Sequence, residues 1–291
     1  MPNITETYEL IVGLGACGLS MARFLNSRGH SVAATDIDGT KICEAEALKK
    51  LGIPVRIGSH DQKMFDQASL IIPSPGIPLD MPLIKSARDK GVPVSGELNI
   101  FAQYNTTPVI AITGTNGKTT TTELTAAMLE ASGISCFVGG NIGTPLMEYL
   151  MQETPKDVVV AEISSFQLDL ADAFKPNVAA LLNIAQDHLD RYPDFEAYAD
   201  SKWSVFKNMT AIDTAVINAA IKDFPTRTKT VCANVLEFSS TGPVSRGAGV
   251  HKTGIDIRHK NITDTLTAEA LERLPGMHNR ENVAAAALAA L

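Results

Sequence analysis

An apolar strand pattern that runs through a glycine turn into a helix pattern is the feature that most constrains the fold of this chain. The apolar run is Val109–Thr113, Gly114 and Gly117 form the turn, and Lys118 opens the helix pattern. Such a unit is typical of a parallel sheet covered by helices. The strict phosphate-loop motif is absent, because Ile112 stands where that motif has its first glycine.

A second glycine turn opens the chain. Residues 8–12 predict a strand, Gly13, Gly15 and Gly18 form the turn, and Asp36 ends the next predicted strand. The spacing matches the dinucleotide-binding fingerprint with its acidic residue. Glycines let a phosphate approach the backbone, and a helix N-terminus supplies unpaired N–H groups. The pattern therefore predicts a nucleotide-like phosphate ligand, with a bare tight turn as the alternative, and it does not require NAD.

Apolar runs alternate with helix patterns in both halves of the chain. We predict an α/β fold with an N-terminal Rossmann-like domain over residues 1–105 and a P-loop-type, mostly parallel α/β domain over residues 106–291. Further strands are expected in SLIIPS, VPVSG, ISCFVG, DVVVAE, NVAALLNI, TAVINA and TKTVCA, a hairpin in HKTGIDIRHKNITDTL and a helix in RENVAAAALAAL. The last helix pattern reaches Leu291 without a cap, which suggests a truncated chain.

The composition restricts the class of partner. The formal net charge of -7 argues against binding to a nucleic-acid backbone. No apolar run is long enough to cross a bilayer, and the start MPNITETYEL has no signal-peptide pattern, so membrane insertion is not expected. The four widely spaced cysteines predict neither a zinc site nor a disulfide framework and fit a cytoplasmic protein.

Polar residues after the predicted strands suggest phosphate and metal chemistry. Lys118 supplies a mobile cation for terminal phosphates, and the Thr119 hydroxyl suits Mg²⁺. Glu162 ends a buried strand pattern at the edge where parallel sheets bind ligands, so it is a candidate Mg²⁺ ligand, with a rim carboxylate without a metal as the alternative. Asp187 and His188 follow another strand; His188 predicts a second metal site or, alternatively, only a hydrogen-bonded surface histidine.

Lys202 lies on the apolar stripe of a helix pattern in FEAYADSKWSVFKNM, so we expect it to be partly buried. Burial can lower the pKa of a lysine by up to about 3–5 units, which leaves its amine more reactive toward carbon dioxide. The resulting carbamate would be an additional carboxylate for Mg²⁺. From spacing alone, a side chain that snorkels to water is the simpler interpretation.

Six segments in order make the chain resemble the Mur ligase family: TGTNGKTTTTEL, GGNIGTP, AEISSFQLD, DHLDRY, YADSKWSVF and PGMHNREN. The segments GLGACGLS, TD and PSPGIP are most similar to the members that add D-glutamate to UDP-N-acetylmuramoyl-L-alanine in peptidoglycan precursor synthesis. The resemblance covers essentially the whole chain. It implies a domain for the UDP-sugar, a central ATPase and a C-terminal amino-acid domain that is absent here, so that this chain alone would not complete ligation.

The resemblance also implies a mechanism and a set of site residues. ATP would convert the substrate carboxylate into an acyl phosphate, from which the amine of D-glutamate displaces phosphate. Two Mg²⁺ ions are implied, the first held by Thr119 and Glu162, the second, with the acyl phosphate, by His188 and carbamylated Lys202. Lys118, His188 and Lys202 would be the catalytic residues. ATP would contact Gly114, Thr115, Asn116, Gly117, Lys118, Thr119, Thr120, Asn279 and Asn282. The UDP-substrate would contact Gly15, Asp36, Ser74, Gly76, Asn141 and Ser164.

Two other functions stay open on the sequence alone. One is another ligase of the same family, such as the L-alanine-adding one. The other is an NAD-dependent oxidoreductase joined to a nucleotide-binding module. Hydride transfer, however, has no use for the phosphoryl-transfer set of Lys118, Thr119, Glu162 and His188.

Overall fold

The computed structural model describes residues 7–188, 190–259 and 262–291. The chain divides into two compact units. The first unit comprises Met1–Asn105, Pro145–Glu153 and Asp169–Ala173. The second comprises Thr106–Thr144, Thr154–Leu168 and Phe174–Leu291. Two short segments from the second half of the sequence thus belong to the first unit.

Strands and helices alternate along the described residues. The strands are β1 (Tyr8–Val12), β2 (Val32–Asp36), β3 (Val55–Ile57), β4 (Ala68–Pro73), β5 (Val109–Thr113), β6 (Cys136–Gly140), β7 (Val158–Glu162), β8 (Val178–Leu181), β9 (Thr214–Asn218), β10 (Asn234–Ser239), β11 (Gly247–His251), β12 (Gly254–His259) and β13 (Ile262–Thr267). The helices are α1 (Ala16–Ser27), α2 (Ile42–Lys50), α3 (Gln62–Asp66), α4 (Pro82–Asp89), α5 (Glu97–Tyr104), α6 (Lys118–Ala131), α7 (Leu146–Leu150), α8 (Ser165–Leu168), α9 (Phe195–Trp203), α10 (Phe224–Arg227) and α11 (Met277–Ala290).

The first unit is built on a parallel sheet. Its described strands have the order β3-β2-β1-β4. The chain runs from β1 through β2 to β3 and then returns to place β4 on the other side of β1, so the strand order reverses between β1 and β4. Parallel sheets bind ligands at the carboxyl ends of the strands beside such a reversal, and the first glycine turn lies there. Leu10 and Val12 pack with Phe65 and Ile71 in the core of this unit.

The second unit contains a larger, mixed sheet. Its described strands have the order β13-β12-β11-β10-β9-β8-β5-β7-β6, and all neighbouring pairs are parallel except β11–β12 and β12–β13. Helices α6 and α11 pack against each other and bury an apolar cluster that includes Ile112, Val160, Val216 and Ala285. Because β5 lies between β8 and β7, the segments that follow these three strands meet at one edge. The predicted α/β class with mostly parallel sheets is confirmed.

Two of the predicted strands are wrong. TKTVCA contains a 3-10 turn at Thr228–Thr230, and the strand follows it as β10. Leu236 and Phe238 alternate on one side of β10 and are buried in the core, whereas TKTVCA supplies no such pair. VPVSG contributes one isolated bridge, between Ile71 and Val94.

The other late elements agree with the sequence. The hairpin predicted in residues 251–266 is present as the antiparallel pair β12 and β13, and β12 also pairs with β11. Lys260 and Asn261 of that segment lie outside the described residues. The predicted last helix is α11. Within the described residues, no helix is both long enough and apolar enough to span a membrane.

Candidate functional site

The glycine turn after β5 leads directly into α6 and leaves backbone N–H groups unpaired at the start of that helix. Gly114 has φ +156° and Gly117 has φ +82°, values that side chains rarely allow. The amide of Thr121 is the first in the helix that bonds back, to the Gly117 carbonyl at 2.9 Å. The N–H groups of residues 118–120 therefore have no acceptor within the helix. Together with the positive end of the helix dipole, they favour a phosphate.

Two lysine side chains converge on this loop. The Nζ of Lys118 donates to the carbonyl oxygens of Gly114 at 3.1 Å and Thr115 at 2.9 Å. The Nζ of Lys202, from α9, donates to the same Gly114 oxygen at 2.9 Å and lies 4.7 Å from the centroid of the Tyr198 ring. Lys202 is only 2% exposed, so the interpretation that it snorkels to water is wrong.

A buried carboxylate faces the start of α6 from the end of β7. Glu162 is 2% exposed, and its Oε2 accepts a hydrogen bond from the Thr119 hydroxyl at 2.7 Å. Its Oε1 accepts from the Asn141 amide at 3.0 Å, and the Asn141 backbone N–H donates to the Glu162 carbonyl at 2.8 Å. The sheet order thus brings Thr119, Asn141 and Glu162 together although they are distant in sequence.

These donors fit a magnesium ion that is shared with phosphate. A hydroxyl and a carboxylate in contact at the start of a phosphate-loop helix are the protein ligands that Mg²⁺ uses in P-loop enzymes. No group of three or more His, Cys, Asp or Glu side chains suited to a metal occurs in the described part of the chain. Thr119 and Glu162 therefore suit Mg²⁺ that would take phosphate oxygens as further ligands.

His188 lies in an aromatic cluster beside the loop. Its backbone has φ +53°, and its N–H donates to Asp187 Oδ1 at 2.9 Å. Its ring centroid lies 4.8 Å from that of Phe166 and 6.1 Å from that of Tyr198. The Tyr198 hydroxyl is 3.0 Å from the Thr115 hydroxyl, and burial raises the pKa of this tyrosine. Tyr198 therefore links His188 to the phosphate loop.

Asn183, which follows β8, also contacts the loop, although it was not predicted from the sequence. Its carbonyl accepts from the Thr115 N–H at 3.0 Å, and its side-chain Oδ1 accepts from the Asn116 N–H at 2.8 Å. Its Nδ2 donates to the Asn116 carbonyl at 2.9 Å. A polar residue directly after an apolar strand was the available signal, the same signal that identified Glu162.

A cavity of about 310 Å³ adjoins the phosphate loop. It is lined by Asn116, Gly117, Leu182, Asn183, Phe238, His278, Glu281 and Asn282. The structure separates Asn279 and Asn282, which the family resemblance grouped among the ATP contacts. Asn282 lines the cavity, whereas Asn279 is not among the lining residues and donates through Nδ2 to the Pro275 carbonyl at 2.7 Å.

The glycine turn of the first unit is closed by side chains. Asp36 accepts from the Leu14 N–H at 2.5 Å and from the Asp38 N–H at 2.8 Å. The Ser74 hydroxyl donates to the Gly13 carbonyl at 3.0 Å. Gly15 directly precedes α1, and Gly76 lies in the turn that the Ile77 N–H closes onto the Ser74 carbonyl. The structure thus groups Asp36 and Ser74 with the glycine turn.

Two further polar residues stand near these sites. Ser164, predicted to face the UDP-substrate, donates through its N–H and hydroxyl to Gln167 Oε1 at 2.9 and 3.0 Å. In the first unit, His60 Nδ1 lies 2.9 Å from the Thr35 hydroxyl, next to Asp36. Burial lowers the pKa of His60, against an opposing effect of the Asp36 carboxylate. His60 was not predicted as a site residue from the sequence.

Family models match both parts of the chain. A Mur ligase middle domain matches residues 112–290, and a MurD-like N-terminal domain of Mur ligases matches residues 7–96. A UDP-N-acetylmuramoylalanine--D-glutamate ligase of Desulfosudis oleivorans is 42% identical over 297 residues, which cover 100% of this chain and 64% of that protein. A protein of the same name in Desulfatibacillum aliphaticivorans is 43% identical and is covered to 62% of its length.

Solved structures share the fold at low identity. The UDP-N-acetylmuramate:L-alanyl-gamma-D-glutamyl-meso-diaminopimelate ligase from Neisseria meningitides has a TM-score of 0.62 at 19% identity, over 98% of this chain and 93% of that one. The UDP-N-acetylmuramate-alanine ligase from Thermotoga maritima has a TM-score of 0.54 at 22% identity, over 97% of this chain and 64% of that one. Identity at this level shows the fold alone.

Proposed function

This chain belongs to the Mur ligase family, and we propose that it serves the ATP-dependent addition of D-glutamate to UDP-N-acetylmuramoyl-L-alanine, a step of peptidoglycan precursor synthesis. Two relatives that carry this activity in their names are 42% and 43% identical to the chain. The chain spans 64% and 62% of their lengths, so the activity of the whole relatives enters here as a proposal. The proposal includes a cytoplasmic location, where ATP is available.

The contact between Thr119 and Glu162 beside the Lys118 loop carries the proposal. Attack of a carboxylate on ATP brings two anions together, so catalysis depends on positioning and on cations around the transferred phosphoryl group. Mg²⁺, when bound, would supply charge neutralisation at the phosphate oxygens. Thr119 and Glu162 would hold it, and the N–H groups of residues 118–120 would bind the phosphates.

Lys118 and Lys202 take different roles in this proposal. Lys118 is half-buried and donates to two loop carbonyls, and its ammonium would turn from them toward a terminal phosphate. Lys202 is buried against the loop, and its carbamate would provide the acidic ligand that, with His188, holds a second Mg²⁺ and the acyl phosphate. Loss of carbon dioxide would return the ordinary amine.

The remaining site residues divide between the two ligands. In the first unit, the N-terminus of α1 after Gly15 and the turn closed by Asp36, Ser74 and Gly76 would bind the UDP part of the substrate. Asn141 and Ser164 would contact the muramoyl part. Asn282 in the cavity beside Gly117 would contact adenine, and Asn279 stays a prediction of the family resemblance.

Calorimetry on this chain tests the proposal without requiring turnover. We expect binding of Mg·ATP and of UDP-N-acetylmuramoyl-L-alanine, and weaker binding of UDP-N-acetylmuramate, the substrate expected for an L-alanine-adding ligase. Preference for UDP-N-acetylmuramate would assign the chain to that ligase instead. Binding of NADH without either UDP-sugar would overturn the ligase proposal.

The carbamate needs a separate test. ¹³C-bicarbonate added to the chain should give one carbamate carbon signal that disappears on acidification, because carbamates decompose in acid. The Lys202→Ala variant should lack the signal, and Lys229→Ala, which removes an exposed lysine, should keep it. An unchanged spectrum for Lys202→Ala would remove Lys202 from the metal ligands.

A further inference from the structure

A carboxamide from outside the phosphate loop holds the backbone of Asn116 in place. The side chain of Asn183 pairs with both backbone polar groups of Asn116, accepting from its N–H at 2.8 Å and donating to its carbonyl at 2.9 Å. Asn116 is itself exposed. The carboxamide therefore continues the hydrogen bonding between the segment after β8 and the loop. Its bonds to Asn116 come one residue after the backbone hydrogen bond from the Thr115 N–H to the Asn183 carbonyl.

The segment that carries Asn183 is itself fixed against the loop. The Leu182 N–H donates to the Thr113 carbonyl at 2.9 Å, and the Leu182 carbonyl accepts from the buried Asn218 amide at 3.0 Å. A Cβ added to Gly114 would lie 3.0 Å from the Leu182 Cβ, which shows how closely the two backbones approach. Asn183 thus projects from a rigid support, as a positioning side chain requires.

The hydrogen bond to Asn116 also decides which N–H groups face a phosphate. The amides of Thr115 and Asn116 are both occupied by Asn183. The group that remains for a ligand begins after Asn116, at the left-handed Gly117 and the first turn of α6. A rotation of the Asn116 peptide would turn the neighbouring Gly117 backbone and change the direction of these amides.

We infer that Asn183 is a positioning residue for the nucleotide phosphates: its carboxamide holds the Asn116 peptide so that the amides at the start of α6 point at the phosphate chain. The inference rests on the proposed ATP site. Asn183 acts on phosphate binding through its two side-chain hydrogen bonds to the Asn116 backbone, and it also lines the adjoining cavity.

The test uses Asn183→Leu, which has nearly the same volume and removes both side-chain hydrogen bonds. We expect amide hydrogen exchange, followed by NMR, to become about tenfold faster at Asn116, while the Thr115 amide, which bonds to the Asn183 backbone, keeps its protection. Calorimetry should show about tenfold weaker binding of Mg·ATP, since two neutral hydrogen bonds are lost. Asn183→Ala repeats both measurements if the leucine variant does not fold.

Asn234→Leu is the matched control. Asn234 also donates from its side chain to a backbone carbonyl, that of Ala211 at 2.5 Å, but it lies at the amino end of β10, away from the carboxyl edge of the sheet. The Asn234→Leu variant should leave both the amide exchange at Asn116 and the Mg·ATP affinity unchanged.

Each outcome separates this inference from the proposed function. Unchanged exchange at Asn116 in Asn183→Leu would overturn the inference whether or not nucleotide binds. Faster exchange with unchanged Mg·ATP affinity would also overturn it. Failure of the unaltered chain to bind Mg·ATP would overturn the proposed function, while the exchange result would still decide whether Asn183 holds the loop.

Discussion

The two glycine turns share a backbone plan but use their carboxylates differently. In the first unit, both oxygens of Asp36 accept backbone N–H groups, from Leu14 and Asp38, so this carboxylate closes the turn. In the second unit, the oxygens of Glu162 accept from side chains, those of Thr119 and Asn141. Side chains can rotate away when a cation or phosphate arrives, whereas backbone groups within a turn cannot.

The two turns also differ in the lysine side chains that lie against them. The second turn has Lys118 and Lys202 on the Gly114 carbonyl, while the first helix of the chain has no basic residue in its opening sequence Ala16–Leu19. A strand, glycine turn and helix therefore provide a general anion site. The side chains around it decide whether the site only binds a phosphate or can also support its transfer.

The largest expected effect is a loss of folding stability when a side chain is added where the first turn has no room for one. A Cβ on Gly18 would lie 1.9 Å from the Gly13 carbonyl oxygen, so Gly18→Ala should lower the free energy of unfolding by about 3 kcal/mol. Gly15→Ala is the control, because its Cβ would meet nothing within 4 Å, and it should cost less than about 1 kcal/mol. Urea unfolding of both variants measures the difference; equal losses would contradict the close contact at Gly18.

The next effect concerns the cation of the second turn. Lys118→Ala should weaken Mg·ATP binding about a hundredfold, because hydrogen bonds to charged groups contribute about 1.5–3 kcal/mol. Binding of UDP-N-acetylmuramoyl-L-alanine should not change, since Lys118 belongs to the other turn. Calorimetry with each ligand gives the two affinities, and Lys229→Ala controls for the loss of one exposed positive charge. A parallel loss for both ligands would contradict the separate roles of the turns.

A smaller effect concerns the hydroxyl that contacts Glu162. Thr119→Val keeps the side-chain shape and should reduce ATP affinity about tenfold in the presence of Mg²⁺, because one metal ligand is lost. With EDTA the variant and the unaltered chain should bind ATP equally. Thr230→Val also removes a hydroxyl, one that donates to the Arg227 carbonyl, and it should behave as the unaltered chain under both conditions. A loss that persists in EDTA would assign Thr119 to phosphate rather than to metal.

The smallest effect is a pH dependence in the first unit. Burial lowers the pKa of His60, the Asp36 carboxylate opposes this shift and Arg56 adds to it, so the unfolded chain binds the proton more tightly than the folded one. The stabilising contribution is complete above about pH 6.5 and is lost as the pH falls from there through the lower folded pKa. We expect less than about 1 kcal/mol, because the ring is partly screened by solvent.

Urea unfolding at about pH 7.5 and about pH 5.5 gives the free energy of unfolding at each pH, and the difference contains the contribution of His60. His60→Gln should make this difference smaller by that contribution. An unaltered pH dependence in His60→Gln would mean that other groups produce it.

Local patterns predicted the elements that carry both turns. The glycines, the apolar runs of β1 and β5 and the carboxylate at the end of β7 are short-range signals, and so is the helical stripe that buries Lys202. The strand at β10 was misplaced because TKTVCA and NVLEFS have similar β propensity, and only the packing of Leu236 and Phe238 on the core distinguishes them. Asn279 and Asn282 were grouped by motif, but only Asn282 lines the cavity.

The sequence by itself determined the α/β class and the residue types of the turn after β5, because hydrophobic period, glycine and lysine act over a few residues. The tertiary structure decided which distant residues meet at that loop. Asn183, Glu162 and Lys202 converge on it because β5 lies between β8 and β7 and because α9 places a buried lysine against Gly114. It also assigned Pro145–Glu153 and Asp169–Ala173 to the first unit. Strand order and such excursions depend on long-range packing, which no local pattern encodes.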